Sequence, residues 1–344
     1  MTTRFGFRRH SHVVLVHSVL VHRLFIPLDS RRCSALSLQA MAESTLPTAA
    51  PARLRATLIG GVAVLLWATL ALLTTATAPM PPFQLVALTF TVAFLLALGK
   101  WVFDAANGVP VLDRLRQPAA VWLLGVGGLF GYHFFYFVAL GNAPAVDASL
   151  IAFLWPLLIV LFSALLPGER LRWFHLLGAL AGLAGAALLI TRNAGGLSMR
   201  PEFVLGYLAA AACALTWSGY SVLSRRFGRV PTDVVGGFCG ATALLGLLCH
   251  LAFEETRWPD GPGWLAVLAL GLGPVGAAFF VWDYGVKHGD IKALGAFSYA
   301  APLLSTLLLV VFGRAEPSWT IGAACLLIVG GAILASRDIW RRRS

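Results

Sequence analysis

From residue 56 onward the chain is a near-unbroken series of apolar runs separated by short polar breaks. The runs cover 56–76, 83–103, 118–139, 143–166, 172–191, 203–224, 231–253, 262–286, 291–312 and 318–336. A bilayer core takes roughly 20 apolar residues per helix, so each run predicts one transmembrane helix. The strict alternation of a membrane β-barrel strand is missing, which leaves helices as the way to satisfy every backbone group in lipid. Two of the runs share a pattern. Phe153-Leu154-Trp155-Pro156-Leu157-Leu158 matches Tyr299-Ala300-Ala301-Pro302-Leu303-Leu304, each with a proline half-way along an apolar stretch. Glu169 and Glu316 follow the prolines at nearly equal distance, and Trp173 and Trp319 at equal distance.

The segment 191–201, with Asn193, Gly195, Gly196 and Ser198, separates the fifth run from the sixth. Five spans on each side is an odd number, so the second copy enters the membrane upside down. The pattern predicts an all-α integral membrane protein. Its ten transmembrane helices form two inverted five-helix repeats, 53–192 and 203–340, around a central cavity. Glycines pair across the halves as well. Gly60 and Gly206 stand early in the first and sixth spans, and Gly178, Gly182 and Gly185 of the fifth span match Gly322, Gly330 and Gly331 of the tenth. Small residues let helices approach closely in lipid. Residues 1–52 follow no such pattern. The apolar stretch 13–28 is broken by His17, His22 and Arg23, it lacks a small-residue cleavage site, and Met41 heads a small, polar stretch. They read as a disordered tail or an over-extended start.

Composition agrees. Of 344 residues 58% are hydrophobic and 12% charged, against about 25% charged in a soluble domain. A net charge of +11 could suggest nucleic acid, but its distribution excludes that partner. With the first span starting in the cytoplasm, sixteen Lys and Arg from Arg53 to Arg343 fall on the cytoplasmic side. Arg192, Arg200, Arg257 and Arg314 fall on the other. This bias places a multi-pass protein in the inner (plasma) membrane with both termini cytoplasmic. The partners expected are the lipid bilayer and a small-molecule substrate, with the protein a monomer or weak oligomer. Cys33, Cys213, Cys239, Cys249 and Cys325 form no CxxC pair and act as small apolar filler. No metal or cofactor is called for.

A solute needs a cavity at the midplane with groups complementary to it, and the spans hold few charges. In the sixth span Trp217, Tyr220, Ser221 and Ser224 share one helical face. They line a cavity with rings and hydroxyls, or else glue helices together. Trp67 lies deep in the first span as the counterpart of Trp217, away from the interfacial belts. Trp155 precedes Pro156, and Ser298 and Tyr299 occupy the equivalent turn before Pro302. A proline frees the carbonyl one turn earlier, so Pro156 and Pro302 are candidate bending points of two gating helices. Trp155 aligns with Ala301 and Phe153 with Tyr299, which predicts an asymmetric cavity. Ring faces suit aromatic or apolar side chains and attract an ammonium group.

In the third span Tyr132 and Tyr136 share a face and His133 is adjacent. An ionisable residue inside a membrane helix is a functional candidate. His133 either meets a substrate carboxylate or hydrogen-bonds another helix. Asp283 and Lys287 form an i,i+4 pair near the cytoplasmic interface and are candidates for a gate. Glu169 and Glu316 flank span ends and read as structural charges. The chain has no HExxH, Gly219-Tyr220-Ser221 is not a nucleophile elbow, and no aspartate pair lies mid-membrane. No catalytic residue is assigned, and the expectation is a transporter rather than an enzyme.

Trp67-Ala68-Thr69 and Trp217-Ser218-Gly219, one in each half, add a family signature. So does Ala139-Leu140-Gly141-Asn142-Ala143-Pro144, followed by Pro156 and then Pro167-Gly168-Glu169. Over 55–340 the chain resembles the EamA branch of the drug/metabolite transporter superfamily, and within it the bacterial aromatic amino-acid exporters. The resemblance implies export of amino acids, aromatic or large and apolar, by alternating access. A same-fold transporter of another small metabolite or drug-like solute is the alternative. Proton-coupled small multidrug relatives carry a glutamate in the first span. The stretch 60–77 has no acidic residue here, which argues against their antiport of polyaromatic cations.

Overall fold

Apolar helices with few polar side chains take their ends from proline and glycine. Pro81, Pro118 and Pro144 stand at helix starts, where a missing N–H costs nothing. Gly168 turns the chain at φ 78°, a left-handed conformation that a side chain disfavours. The computed structural model describes residues 50–191, 200–313 and 316–338. The helices are α1 (Pro51–Thr75), α2 (Pro82–Ala106), α3 (Ala119–Asn142), α4 (Ala145–Leu165), α5 (Trp173–Thr191), α6 (Pro201–Phe227), α7 (Val234–Phe253), α8 (Gly261–His288), α9 (Ile291–Val311) and α10 (Trp319–Ala335). Among the described residues nine are long and apolar enough to cross a membrane, and α10 is a shorter apolar helix.

Residues 1–49 lie outside the described residues, and with them nearly all of the stretch read as a tail, including Met41 and Cys33. So do Asn193, Gly195, Gly196 and Ser198 of the connecting segment. Arg192, Arg314, Arg341, Arg342 and Arg343 of the charge count lie outside as well.

The helices pair in a way that repeats itself when the halves are exchanged. α1 packs along α8 and α6 along α3, while α2 packs on α7, α4 on α9 and α5 on α10. The last three pairs join equivalent helices, and they run antiparallel. Gly178 meets Gly331 and Ala335 whereas Gly185 meets Ala324 and Ile328. Phe94 meets Gly240 whereas Val86 meets Gly246. Equivalent helices pointing opposite ways are the inverted repeat that an odd span count demands.

Close approach at small residues holds the bundle, since lipid offers no hydrophobic drive between helices. A Cβ on Gly178 would stand 2.4 Å from the carbonyl oxygen of Gly331, so α5 and α10 touch backbone to backbone. Gly285 of α8 is as tight against Gly60, a Cβ on it standing 2.4 Å from Gly60 Cα, and Gly206 meets Asn142 and Ala143 at the end of α3. Gly322 and Gly330 face open space instead, so only part of the glycine pattern in α10 serves packing.

Four helices are interrupted at one level. α1 breaks at Ala68–Thr69, α4 at Phe153–Leu154 and α9 at Ser298–Tyr299, while α8 makes a π-helical turn over Gly273–Ala277. The breaks in α4 and α9 fall just before Pro156 and Pro302, which cannot donate to the carbonyls one turn back. Irregular backbone at membrane depth is tolerated where it is buried or lines a cavity.

Candidate functional site

Those interruptions surround a cavity of about 330 Å³ between the two halves. Its walls are Trp67, Leu70 and Ala71 from α1; Tyr132, His133 and Tyr136 from α3; and Phe153 and Trp155 from α4. Trp217 of α6, Pro274, Val275 and Phe279 of α8, and Ala301, Pro302 and Ser305 of α9 complete them. No Asp, Glu, Lys or Arg stands among these lining residues. Three indoles, Trp67, Trp155 and Trp217, face the cavity, and Trp282 of α8 is buried behind them. Trp67, Trp155, Trp217 and Trp282 contact one another pairwise, with ring centroids 5.1–6.4 Å apart. Edge-to-face and tilted ring pairs are the favourable geometries.

Two of the indoles are tied down by hydrogen bonds. Trp67 donates its N–H to the Pro274 carbonyl at 3.1 Å, in the π-helical turn of α8. Trp282, fully buried, donates to Ser221 Oγ at 3.1 Å. Trp155 and Trp217 line the cavity, and their N–H groups make no hydrogen bond among the described residues. On α3 the rings of Tyr132 and Tyr136 stack 6.1 Å apart, and Tyr136 shares a hydrogen bond of 3.1 Å with Ser149 of α4.

The residues singled out from the sequence separate into three groups. Trp67, Tyr132, His133, Tyr136, Trp155 and Trp217 all meet at the cavity, with Pro302 beside them. Tyr220, Ser221, Ser298 and Tyr299 are buried behind it and do not line it. Three of them have polar atoms with structural work, whereas the buried Tyr220 hydroxyl has no hydrogen-bond partner among the described residues. Ser221 accepts from Trp282, Ser298 donates to Leu294 O, and the Tyr299 hydroxyl accepts from Leu157 N where α4 is broken. His133 bonds Leu129 O on its own helix at 2.7 Å rather than a neighbouring one. Trp155 and Ala301 face the same space, so the two proline segments present unlike surfaces.

Asp283 and Lys287 pair at 2.8 Å and are buried within the bundle, both nearly inaccessible. Thr232 also donates to Asp283, and Lys287 to Val230 O, both on the α6–α7 connection. Removing one partner of such a buried pair strands the other charge.

Beyond this pair, the end of the bundle where α1 starts is closed by a belt of charges centred on Glu169. Arg53 of α1 and Arg225 of α6 each reach Glu169 at 3.1 Å, and Lys292 of α9 donates to its other oxygen. Arg53 also bonds Asp290 at 3.1 Å, and Arg225 the Gly289 carbonyl. Burial opposes ionising Glu169, yet Lys292, Arg53 and Arg225 outweigh it and hold the carboxyl below the usual carboxylate range. Asp233, joined to Lys100 and Arg114 at the same end, is lowered for the same reason, against burial. Glu316 is exposed.

Several contributors carried weaker signals in the sequence. Gly273-Pro274 is a helix-breaking dipeptide within an apolar run. Phe279 and Trp282 sit one helical turn apart on α8, as cavity-side residues do on other helices. The role of Glu169 had no local signal, because its partners lie far away along the chain.

Comparison with known proteins places this geometry in a family. The EamA-like transporter family model matches the chain twice, at residues 54–191 and 204–337. Aromatic amino acid exporter YddG of Ancylobacter novellus is 61% identical over 284 residues, covering 83% of this chain and 98% of that protein. The exporter of the same name from Escherichia coli is 26% identical over 303 residues, covering 82% of this chain and 97% of that protein. A crystal structure of a protein 60% identical superposes with a TM-score of 0.80, covering 85% of this chain and all of that one. The chain belongs to the EamA-like transporter family.

Proposed function

We propose that the protein exports aromatic and large apolar amino acids across the inner membrane by alternating access. The observation that carries this is the cavity. Its walls are rings and uncharged dipoles at the junction of two inverted halves, with space for a small solute. A ring-lined site attracts both an aromatic side chain and, through ring faces, an ammonium group. The names of the similar exporters from Ancylobacter novellus and Escherichia coli support the same substrate class.

The proposed substrate contacts are Trp67, Tyr132, His133, Tyr136, Trp155 and Trp217. Tyr220, Ser221, Ser298 and Tyr299 hold those groups in place from behind. The cavity lies toward the end of the bundle remote from Arg53 and Glu169, while the Glu169 belt, the Asp283–Lys287 pair and the Gly60–Gly285 contact close the basic end. With the basic end cytoplasmic, as the charge bias favours, this is an outward-facing arrangement with both termini inside. Bending at Pro156 and Pro302 then exchanges the open end.

Purified protein in liposomes tests the reading by counterflow of labelled phenylalanine against a panel of competitors. Aromatic and large apolar amino acids are expected to compete, and nucleobases and polyaromatic cations to leave uptake unchanged. Saturable uptake inhibited by cations or nucleobases, but not by tryptophan or tyrosine, would overturn it.

A further inference from the structure

A zwitterionic amino acid brings two charges into a cavity that offers none in return, so uncharged groups must tell its ends apart. Among the lining groups, His133 offers the acceptor with a fixed direction. His133 Nδ1 lies 2.7 Å from Leu129 O, and a carbonyl can only accept, so Nδ1 carries the ring proton. Nε2 makes no hydrogen bond among the described residues, and it belongs to a residue on the cavity wall. The other neighbours of the imidazole are rings: Phe90, Tyr132, Phe137 and Phe279 at 5.2–6.4 Å. No carboxylate lines the cavity to hold an imidazolium. The ring therefore offers a lone pair at Nε2, an acceptor, to whatever fills the space. The opposite chemistry comes from the donor-only indole N–H groups of Trp155 and Trp217, which make no hydrogen bond among the described residues.

We infer that His133 reads the substrate's α-ammonium by accepting its hydrogen bond at Nε2, and that the indole N–H groups of Trp155 and Trp217 take the carboxylate. This rests on the proposed amino-acid export and adds an orientation to it. It also reverses the expectation that His133 meets the carboxylate. A hydrogen bond to a charged group is the strong kind, so losing the acceptor should discriminate sharply between ligands that carry the ammonium and ligands that do not.

The test uses three probes competing with labelled phenylalanine in proteoliposomes: phenylalanine itself, phenethylamine (ammonium without carboxylate) and 3-phenylpropionate (carboxylate without ammonium). His133→Phe is expected to weaken competition by phenethylamine about tenfold or more and to leave 3-phenylpropionate nearly unchanged. Trp155→Phe with Trp217→Phe, which keeps rings and removes both N–H groups, should do the reverse. His133→Gln retains an acceptor oxygen and should recover much of the phenethylamine competition, with thermal melting confirming that each variant is folded. Selective loss of 3-phenylpropionate in His133→Phe would make His133 a donor and overturn the inference. Equal weakening of all probes would reduce His133 to a structural role and overturn it too. A wild type that takes up no phenylalanine overturns the export reading and this orientation with it.

Discussion

The two ends of the central path solve opposite problems with different chemistry. The cavity end contains rings, broken helices and no formal charge among its lining residues. The basic end contains continuous backbone contact at Gly60–Gly285 and a belt in which Glu169 gathers Arg53, Arg225 and Lys292. Rings and dipoles can receive a solute without being torn from partners, and they adapt to side chains of several sizes. Paired charges hold a seal firmly, because separating them in a low dielectric leaves each one stranded. Under the proposed export mechanism, recognition belongs to one end and closure to the other.

Breaking the belt should have the largest effect. Glu169→Ala leaves Arg225 and Lys292 without their carboxylate partner and Arg53 with Asp290 alone, and is expected to destabilise the sealed state by about 3 kcal/mol. Thermal unfolding in detergent would register this as an early transition, and counterflow of phenylalanine should fall to near background. The counterpart change, Glu316→Ala, removes an exposed carboxylate and should shift stability by no more than about 0.5 kcal/mol. Equal effects of the two would erase the distinction between the ends.

Trp217→Ala attacks the other region. Trp217 contacts Trp67, Trp155, Trp282 and Phe279, so its loss opens the floor of the cavity. Phenylalanine transport should drop on the order of tenfold, while an apolar aliphatic substrate such as leucine loses less. Smaller again is the joint change of Pro156 and Pro302 to alanine. With the missing N–H groups restored, the helices can close their breaks, so exchange should slow several-fold at an unchanged melting temperature. Identical exchange rates would remove the prolines from the gating scheme.

The smallest expected effect is that of acid. Because the folded carboxyl of Glu169 lies below its unfolded value, its stabilisation is complete above the unfolded carboxylate range. It is lost only as pH falls through the lowered folded value. Melting temperature should be steady from pH 7 to about 5 and decline below that. Glu169→Gln should show a shallower decline, and parallel curves for both proteins would separate the belt from acid stability.

The spans and their inversion were legible because apolar run length and an odd count depend on local pattern alone. Six cavity residues were legible for a related reason, as Trp67, Trp155 and Trp217 interrupt apolar runs away from the membrane interfaces where indoles usually sit. Helical spacing could not say which neighbour a face would meet. Ser221 and Tyr220 share the face of Trp217 in projection, yet Ser221 is covered by Trp282 from α8 and Tyr220 fits against Gly128 of α3. Ser298 satisfies its hydroxyl on its own helix and has none to offer the cavity. Glu169 and Glu316 look equivalent in sequence. Only tertiary packing brings Arg53 and Lys292 to the first, while the second is left exposed.

Whether the basic end must open for transport can be tested by tying it shut. Thr57 of α1 accepts a hydrogen bond from Asp290 N at 2.8 Å, and a Cβ on Gly289 would lie 2.9 Å from Thr57 Oγ1. A disulfide between Thr57→Cys and Gly289→Cys fits this spacing once the chain gives locally, since a Cβ at 289 also meets the Gly285 carbonyl oxygen at 2.7 Å and Thr57 N at 2.8 Å. Counterflow of labelled phenylalanine would be measured on the oxidised and reduced double variant, with wild type and the single variants as oxidation controls. Uptake is expected to fall to background when the bond forms and to return on reduction. Undiminished uptake by protein shown by mass spectrometry to be cross-linked would contradict alternating access through this end.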